Sequence, residues 1–275
     1  MTSHQTILTA ADLAALLERD PPTLLDASFT LSGGGRAAYD SGHIPGAVFA
    51  DLDRDLCAPP GVGGRHPLPG PAALQAALRR LGVRRDHPVV VYERGPIPTG
   101  SAARVWWTLR WAGHDQVSVL DGGYAAWRRA GGPESHDEPA PAPGDVVVTP
   151  GGLLKWSADD VPGKFLIDAR APERFRGEVE PIDPVAGHIP GAVNLPLSST
   201  VDADGHLRPP DELRATFAAL GAPDGEPVGA YCGSGVTAAQ TALALYEAGY
   251  QPALYVGSWS DWITDESRPR ATGDA

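Results

Sequence analysis

The chain has 275 residues, 42% of them hydrophobic, and a net charge of −12. This length accommodates one large domain or two of ordinary size, and the composition is that of a soluble globular protein. The negative charge argues against nucleic acid and anionic membranes as partners. The two cysteines, Cys57 and Cys232, have no CxxC spacing, so neither a disulfide framework nor a cysteine metal site is expected.

The start of the chain lacks the basic segment and the apolar run of a signal peptide. No stretch approaches the roughly 18 consecutive apolar residues that a membrane-spanning helix needs. We therefore expect a reducing, cytoplasmic location and no membrane contact.

Short apolar runs alternate with helical patterns along the first half of the chain. In order, the patterns predict a helix at 10–18, a strand at 23–26, a helix at 71–81, a strand at 88–92, a helix at 102–112, a strand at 117–120 and a helix at 124–129. This alternation predicts an α/β fold in which helices flank a mostly parallel sheet.

Four sequence landmarks of the first half recur in the same order in the second half. The pairs are Leu24–Ser28 with Leu166–Arg170, Gly42–Val48 with Gly187–Val193, Val90–Tyr92 with Gly229–Tyr231, and Leu120–Trp127 with Tyr255–Trp262. The chain is thus interpreted as two tandem copies of one domain, at 1–130 and 153–275. The Pro- and Gly-rich residues 131–152 are predicted to be an extended linker, with a short edge strand at 146–148.

A cysteine lies between a predicted strand and a predicted helix in the second copy. Cys232 follows the apolar stretch Pro227–Tyr231, and a loop of small residues at 233–237 leads into a helical pattern at 238–248. This arrangement should expose the thiol at the sheet edge and aim backbone N–H groups and the positive end of a helix at the sulfur, which favours the thiolate. Sites at the carboxyl ends of strands are typical of open α/β sheets.

These features resemble the two-domain rhodanese-like sulfurtransferases. The resemblance rests on the two copies, on His-Ile-Pro-Gly-Ala at 43–47 and 188–192, and on Cys-Gly-Ser-Gly-Val-Thr-Ala at 232–238. It covers nearly the whole chain, from Leu24 to Trp262, and implies two tandem rhodanese-like domains. It also implies that the first domain is catalytically silent, because Glu93 stands where the second copy has Cys232.

The resemblance implies that Cys232 is the nucleophile. Its thiolate would take sulfur from a small anionic donor, form a persulfide and pass the sulfur to cyanide, a thiol or a thioredoxin-like protein. Arg174 matches the family arginine that binds the donor, and Arg170 and Arg176 are weaker candidates. Backbone N–H groups of the loop are expected to hold the sulfur and its charge. The loop residues are Gly233, Ser234, Gly235, Val236 and Thr237, of which Thr237 also offers a hydroxyl.

Two features of the sequence disagree on the donor. The uncharged Gly233 and Ser234 resemble the 3-mercaptopyruvate sulfurtransferases, whereas thiosulfate enzymes place basic residues there. In contrast, the mercaptopyruvate enzymes carry a second arginine nine residues after the one that matches Arg174, and this chain has Asp183 at that position. A Ser–His–Asp proton relay is proposed for that group; Ser234 and His43 match two members, but no acid occurs at 31–39, where the third should lie. We expect 3-mercaptopyruvate as donor, with His43 at the substrate site, and thiosulfate as the alternative.

Other functions remain open for the same loop. A Cys-loop phosphatase or arsenate reductase needs an arginine six residues after the cysteine, and Ala238 at that position argues against this class. A persulfide carrier for a protein partner would share the same site, whereas the intact loop disfavours a signalling module without catalysis. The resemblance implies no cofactor and no metal. Cys57 is interpreted as structural, and we expect a monomer because the linked copies bury each other's faces.

Overall fold

The computed structural model describes residues 5–95 and 98–274. Contacts divide the chain into two compact units, each with one five-stranded sheet in which every strand pair is parallel. The predicted fold class is confirmed, and the predicted elements of the first copy are present with bounds that differ by one residue at most. Among the helices of the described residues, none combines the length and the apolar character that crossing a bilayer requires.

The first unit has the strand order β1-β5-β4-β2-β3. Its elements are β1 (Ile7–Leu8), α1 (Ala10–Arg19), β2 (Thr23–Asp26), α2 (Gly35–Asp40), β3 (Val48–Phe49), α3 (Leu52–Asp55), α4 (Pro71–Arg80), β4 (Val89–Tyr92), α5 (Ser101–Trp111), β5 (Val117–Leu120) and α6 (Gly123–Arg129). The short elements β1, α2, β3 and α3 were not predicted, because two to six residues carry too little periodicity to identify.

The second unit repeats this order as β6-β10-β9-β7-β8. Its elements are β6 (Leu154–Trp156), β7 (Leu166–Asp168), α7 (Pro172–Phe175), β8 (Val193–Asn194), α8 (Pro210–Ala219), β9 (Pro227–Tyr231), α9 (Thr237–Glu247), β10 (Gln251–Tyr255) and α10 (Ser258–Trp262), with single 3₁₀ turns at Ala158–Asp160 and Leu197–Ser199. Strand β9 lies between β10 and β7, so its carboxyl end opens at the middle of the sheet edge.

Small residues in β9 make room for large side chains of the core. A Cβ on Gly229 would lie 2.1 Å from the ring of Trp156, so only glycine fits there without movement. The adjacent core cluster includes Tyr231 and Trp259, both fully buried. The end of β9 is therefore held by a close-packed interior, which fixes the position of the residue that follows it.

Each half of the chain contributes a short segment to the other compact unit. Residues Ala58–Leu68, which follow α3, belong to the second unit, and Ala203–His206, which precede α8, belong to the first. The imidazole Nδ1 of His206 lies 3.0 Å from a carboxylate oxygen of Asp121 in the first unit. The compact units therefore depart from the predicted ranges 1–130 and 153–275 at these two segments.

The stretch predicted to be a linker belongs to the first unit. Gly144 and Thr149 donate backbone hydrogen bonds of 2.8 Å to the carbonyls of Arg79 and Ala112. The predicted edge strand at 146–148 is wrong: these residues lie outside the strands, and Val146 makes one backbone bond of 3.3 Å, to the carbonyl of Val83. Prolines and glycines limit regular pairing there, but they allow the chain to follow the unit's surface.

The loop between β4 and α5 holds the carboxylate of Glu93. This carboxylate accepts hydrogen bonds from the backbone N–H groups of Thr99 (2.8 Å), Gly100 (3.2 Å) and Ala102 (3.4 Å), and from the hydroxyl of Ser101 (3.0 Å). Free N–H groups and the positive end of the dipole at a helix start favour an anion. Glu93, only 5% exposed, supplies that anion from within the chain.

We expect Glu93→Ala to destabilise the protein. The substitution leaves buried N–H and O–H donors without an acceptor, which costs about 2 kcal/mol in the free energy of unfolding. Glu93→Gln keeps one acceptor oxygen and should cost less. Urea unfolding monitored by tryptophan fluorescence would measure both, and an alanine variant as stable as the wild type would contradict this account.

Candidate active site

Cys232 is the first residue after β9, at the carboxyl end of a strand in the middle of the sheet. Its backbone N–H donates to the hydroxyl of Ser258 (3.1 Å), and its carbonyl accepts from the N–H of Trp259 (3.0 Å). Gly233 is held in the same way, because its carbonyl accepts from the N–H of Ser260 (2.9 Å). The start of α10 therefore fixes the backbone on both sides of the sulfur.

The loop after Cys232 turns back over the sulfur. The N–H of Gly235 donates to Sγ at 3.2 Å, and Gly235 adopts a φ of +75°, which glycine permits at little cost. Helix α9 begins two residues later, so its positive end and unpaired N–H groups also lie near the loop. The predicted cradle is thus seen at Gly235, while a role for the other loop N–H groups and the Thr237 hydroxyl stays a prediction.

The expectation of an exposed thiol is wrong, because Cys232 is only 3% exposed. The loop covers the sulfur, and Ser234 and Val236 in it are themselves buried. A buried thiolate loses the stabilisation that water provides, so the N–H groups around it matter more. Reagents that reach this sulfur must be small or must match the groups that surround it.

Ser234 pairs with a histidine that the sequence analysis did not identify. The imidazole Nδ1 of His66 lies 2.7 Å from the hydroxyl of Ser234, and both side chains are buried. His66 belongs to the segment 58–68 and is separated from Ser234 by 168 positions in sequence. A histidine bonded to a hydroxyl two residues from the sulfur can hold or move a proton near it.

The family histidine predicted for that position has other partners. The ring nitrogens of His43 lie 3.1 Å from the carbonyl of Tyr39 and 2.8 Å from the carbonyl of Asp137, and the ring stacks on Tyr39. His188, the equivalent residue of the second unit, likewise lies 2.8 Å from the carbonyl of Phe175. These contacts give both histidines structural partners, and a substrate role for His43 stays a prediction without support from them.

Arg174 lies beside the loop and is held by two acids. Its guanidinium donates to Glu180 at 2.7 and 3.2 Å and to Asp183 at 3.2 Å. Burial raises the pKa of Glu180, but hydrogen bonds from Arg174 and from the backbone N–H groups of Asp183 and Ile182 outweigh it, so the pKa lies below its ordinary value. Glu180 is therefore charged at neutral pH and holds Arg174 in place.

A second arginine reaches the same place from the segment 58–68. Arg65 forms an ion pair with Asp183, and its Nη2 would lie 3.0 Å from a Cβ placed on Gly233. The Nη2 of Arg174 would lie 3.6 Å from that Cβ. Two guanidinium groups thus flank the residue next to Cys232, with the Asp183 carboxylate between them.

The two weaker arginine candidates have structural partners. Arg170 is buried and donates to Asp168 (2.7 Å) and to the carbonyl of Gly187 (2.7 Å), and it lies over the ring of Trp259. Burial lowers the pKa of Arg170, but the neighbouring Asp168 more than reverses this effect, so the net shift is upward. Arg176 pairs at 2.8 Å with the exposed Glu178.

Cys57 differs from Cys232 in its surroundings. It is buried in the first unit, and burial raises the pKa of its thiol to about 11. At neutral pH Cys57 is therefore a protonated thiol with little nucleophilic character. This agrees with its interpretation as a structural residue.

A signal for Arg65 and His66 is present in the sequence, although it is weak. The run Gly61-Val62-Gly63-Gly64 directly precedes them. Gly64 has a φ of +94°, and a Cβ there would lie 2.5 Å from the carbonyl of Gly257. The glycines allow this close approach, so a glycine-rich turn followed by two basic side chains marked a segment that packs against distant backbone.

The comparisons with known proteins agree with this geometry. The family described as "Rhodanese-like domain" matches residues 9–130 and 149–265. A Pseudomonas aeruginosa protein named "Probable 3-mercaptopyruvate sulfurtransferase" is 50% identical over the full length of both chains. A Mycobacterium tuberculosis protein named "Putative thiosulfate sulfurtransferase SseB" is 45% identical over 98% of both.

A solved structure also matches. The crystal structure of the 3-mercaptopyruvate sulfurtransferase SseA from Escherichia coli superimposes with a TM-score of 0.81 at 34% identity. The match covers 93% of this chain and all of the other. With two matched domains, and with Cys232 and its loop at the end of β9, the chain belongs to the rhodanese-like family and is a sulfurtransferase.

Proposed function

We propose that this enzyme transfers a sulfur atom from 3-mercaptopyruvate to a thiophilic acceptor through a persulfide on Cys232. The observation that carries the proposal is the set of groups around Sγ. The Gly235 N–H donates to the sulfur, the Ser234 hydroxyl lies close to His66, and Arg65 and Arg174 flank Gly233. Together they supply a stabilised thiolate, a proton path and cations for an acidic donor.

In the first half-reaction the Cys232 thiolate attacks the sulfur of 3-mercaptopyruvate. The new S–S bond forms as the C–S bond breaks, and the electron pair of that bond passes to the carbon as the enolate of pyruvate. The thiol proton of the donor ends on this carbon, so the products are the Cys232 persulfide anion and pyruvate. The number of atoms and the total charge are unchanged.

Ser234 and His66 are suited to carry that proton. Their contact of 2.7 Å is a short hydrogen bond between buried groups, two residues along the chain from the sulfur. The serine hydroxyl can accept the donor's proton while it passes its own to the imidazole, and the reverse exchange protonates the enolate. The loop thus combines a nucleophile and a proton carrier.

In the second half-reaction the outer sulfur of the persulfide passes to an acceptor. Cyanide attacks that sulfur, thiocyanate leaves, and the Cys232 thiolate is regenerated. A persulfide places the outer sulfur about 2 Å beyond Sγ, so it can meet loop N–H groups that Sγ itself does not reach. A thiol or a thioredoxin-like protein can act as acceptor by the same attack.

Thiosulfate is the second candidate donor. Two guanidinium groups beside Gly233 offer more positive charge than one carboxylate needs, and thiosulfate is a dianion. One relative carries the name of a thiosulfate sulfurtransferase. Against this, Asp183 stands between the two arginines and cancels part of their charge.

Steady-state transfer to cyanide should distinguish the two donors. We expect kcat/KM to favour 3-mercaptopyruvate by roughly tenfold or more, which corresponds to about 1.4 kcal/mol. The reason is that the carboxylates of Asp183 and Glu180 already offset much of the positive charge of Arg65 and Arg174, which disfavours a dianion more than a monoanionic carboxylate. A preference for thiosulfate would assign the second candidate, and no turnover with either donor would favour a persulfide carrier that serves a protein.

Substitution of the two cysteines tests the nucleophile. Cys232→Ser should abolish sulfur transfer, because a hydroxyl forms no persulfide. Cys57→Ser, the matched control, should keep most of the activity, because the Cys57 thiol is protonated at neutral pH. Loss of transfer in the Cys57 variant, with Cys232→Ser active, would contradict the assignment. The persulfide itself should add the mass of one sulfur atom to the peptide that contains Cys232.

Removal of the proton carrier should affect the two donors differently. Ser234→Ala and His66→Asn should each lower kcat with 3-mercaptopyruvate by roughly 10²-fold, the lower end of the range for general acid–base catalysis. Turnover of thiosulfate should change little, because sulfite leaves without taking up a proton. Equal losses with both donors would indicate a structural role for the pair.

A further inference from the structure

The guanidinium of Arg65 is placed by contacts on both its backbone and its side chain. Its backbone N–H donates to the hydroxyl of Ser260 (3.0 Å), and the N–H of Gly63 donates to the carboxylate of Asp261 (3.2 Å). The side chain then bonds Asp183, whose side chain is only 2% exposed. Arg65 is therefore a fixed group of the second unit rather than a surface arginine.

The arginines near Cys232 differ in how fully their charge is already engaged. Arg174 donates to two carboxylates, those of Glu180 and Asp183, and Arg170 also faces two, those of Asp168 and Glu180. Within the described residues, Asp183 is the one acid that forms an ion pair with Arg65. Of the three guanidinium groups, that of Arg65 has the largest share of its charge left for a ligand.

Arg65 also has a buried donor without an acceptor. Its Nε is buried and has no hydrogen-bond partner among the residues that the structure describes, while a quarter of the side chain stays exposed. A buried N–H without an acceptor is unfavourable. A ligand oxygen that accepts a hydrogen bond from this N–H therefore gains more binding free energy than a ligand oxygen that contacts only solvated donors. A planar carboxylate fits the two donors on one edge of a guanidinium.

The same guanidinium borders the reacting sulfur. A Cβ built on Gly233 would lie 3.0 Å from Nη2 of Arg65 and 3.6 Å from Nη2 of Arg174, so Arg65 is the nearer arginine. The next residue in the chain, His66, bonds Ser234. The segment 58–68 thus brings a cation and the proposed proton carrier together to the two residues that follow Cys232.

We propose that Arg65 binds the carboxylate of the sulfur donor and that Asp183 holds Arg65 in place while competing with that carboxylate. This rests on the proposed function for the identity of the donor. Arg65 thus takes the place of the second arginine that the mercaptopyruvate enzymes carry at the position of Asp183, and Asp183 is its partner.

Alkylation of Cys232 tests the proposal without any need for turnover. Iodoacetate and iodoacetamide are nearly equal in size and differ in charge, and peptide mass spectrometry separates Cys232 from Cys57. We expect Arg65→Gln to lower the ratio of the iodoacetate rate to the iodoacetamide rate by roughly tenfold, since a hydrogen bond to a charged group is lost. The ratio for Arg65→Lys should lie between those for the wild type and Arg65→Gln, because lysine keeps the positive charge but lacks the paired N–H donors of a guanidinium.

Two further variants complete the test. Arg208→Gln is the matched control, because Arg208 is exposed and pairs only with Glu212 among the acids near it in the described residues, and it should leave the ratio unchanged. Asp183→Asn should raise the ratio, because the amide oxygen still accepts a hydrogen bond from Arg65 and keeps it in place while the competing negative charge is removed, and a rise cannot result from misfolding. An Arg65→Gln ratio equal to that of the control, or a fall in Asp183→Asn, would overturn the proposal.

The kinetic readout separates this proposal from the proposed function. Arg65→Gln should raise KM for 3-mercaptopyruvate by a larger factor than it slows discharge of a preformed Cys232 persulfide to cyanide, because only the first step binds a carboxylate. If the wild type prefers iodoacetate but turns over no donor, the proposed function fails and the anion site stands. If the wild type turns over 3-mercaptopyruvate and Arg65→Gln changes neither KM nor the alkylation ratio, the anion site fails and the function stands.

Discussion

A negative charge held at the start of a helix, just beyond the end of a central strand, is the interaction on which this structure depends. In the first unit the charge is the carboxylate of Glu93, bonded by the N–H groups that open α5. In the second unit the sulfur of Cys232 takes the corresponding place and accepts a hydrogen bond from the N–H of Gly235, ahead of α9. The same strand, loop and helix stabilise whichever anion the sequence places there. The first unit fills this place with its own carboxylate, whereas the second unit has a thiol there.

The candidate site of the second unit includes a segment from the first half of the sequence. Residues 58–68 supply Arg65 and His66, whereas the residues that follow Cys232 in the loop carry no charge. The glycines before Arg65 allow the segment to approach the backbone at Gly257. Each compact unit thus contains a short segment from the other half of the sequence, and in the second unit that segment brings the charged groups.

The sequence was sufficient for the features that depend on local pattern. Hydrophobic periodicity placed α1, α4 and α5 and the central strands, and the repeat with the Cys232 loop identified the fold and the family. It was not sufficient for His66, because the hydrogen bond to Ser234 joins residues 168 positions apart and no local pattern reports such a contact. The exposure of Cys232 was also wrongly predicted, because burial depends on how the loop after Cys232 folds back over the sulfur, which residue types alone do not report.

The charges near the sulfur explain why position 233 is a glycine. A Cβ there would lie 3.0 Å from the guanidinium of Arg65 and 3.6 Å from that of Arg174, so any side chain would crowd these groups and a basic one would also bring a third positive charge close to them. Asp183, which looked unfavourable for donor binding in the sequence, is what allows Arg65 and Arg174 to stand so close together. The cation that a basic residue would bring to position 233 comes instead from the segment 58–68. The uncharged loop after Cys232 therefore leaves room for the guanidinium of Arg65, which places a positive charge beside Gly233.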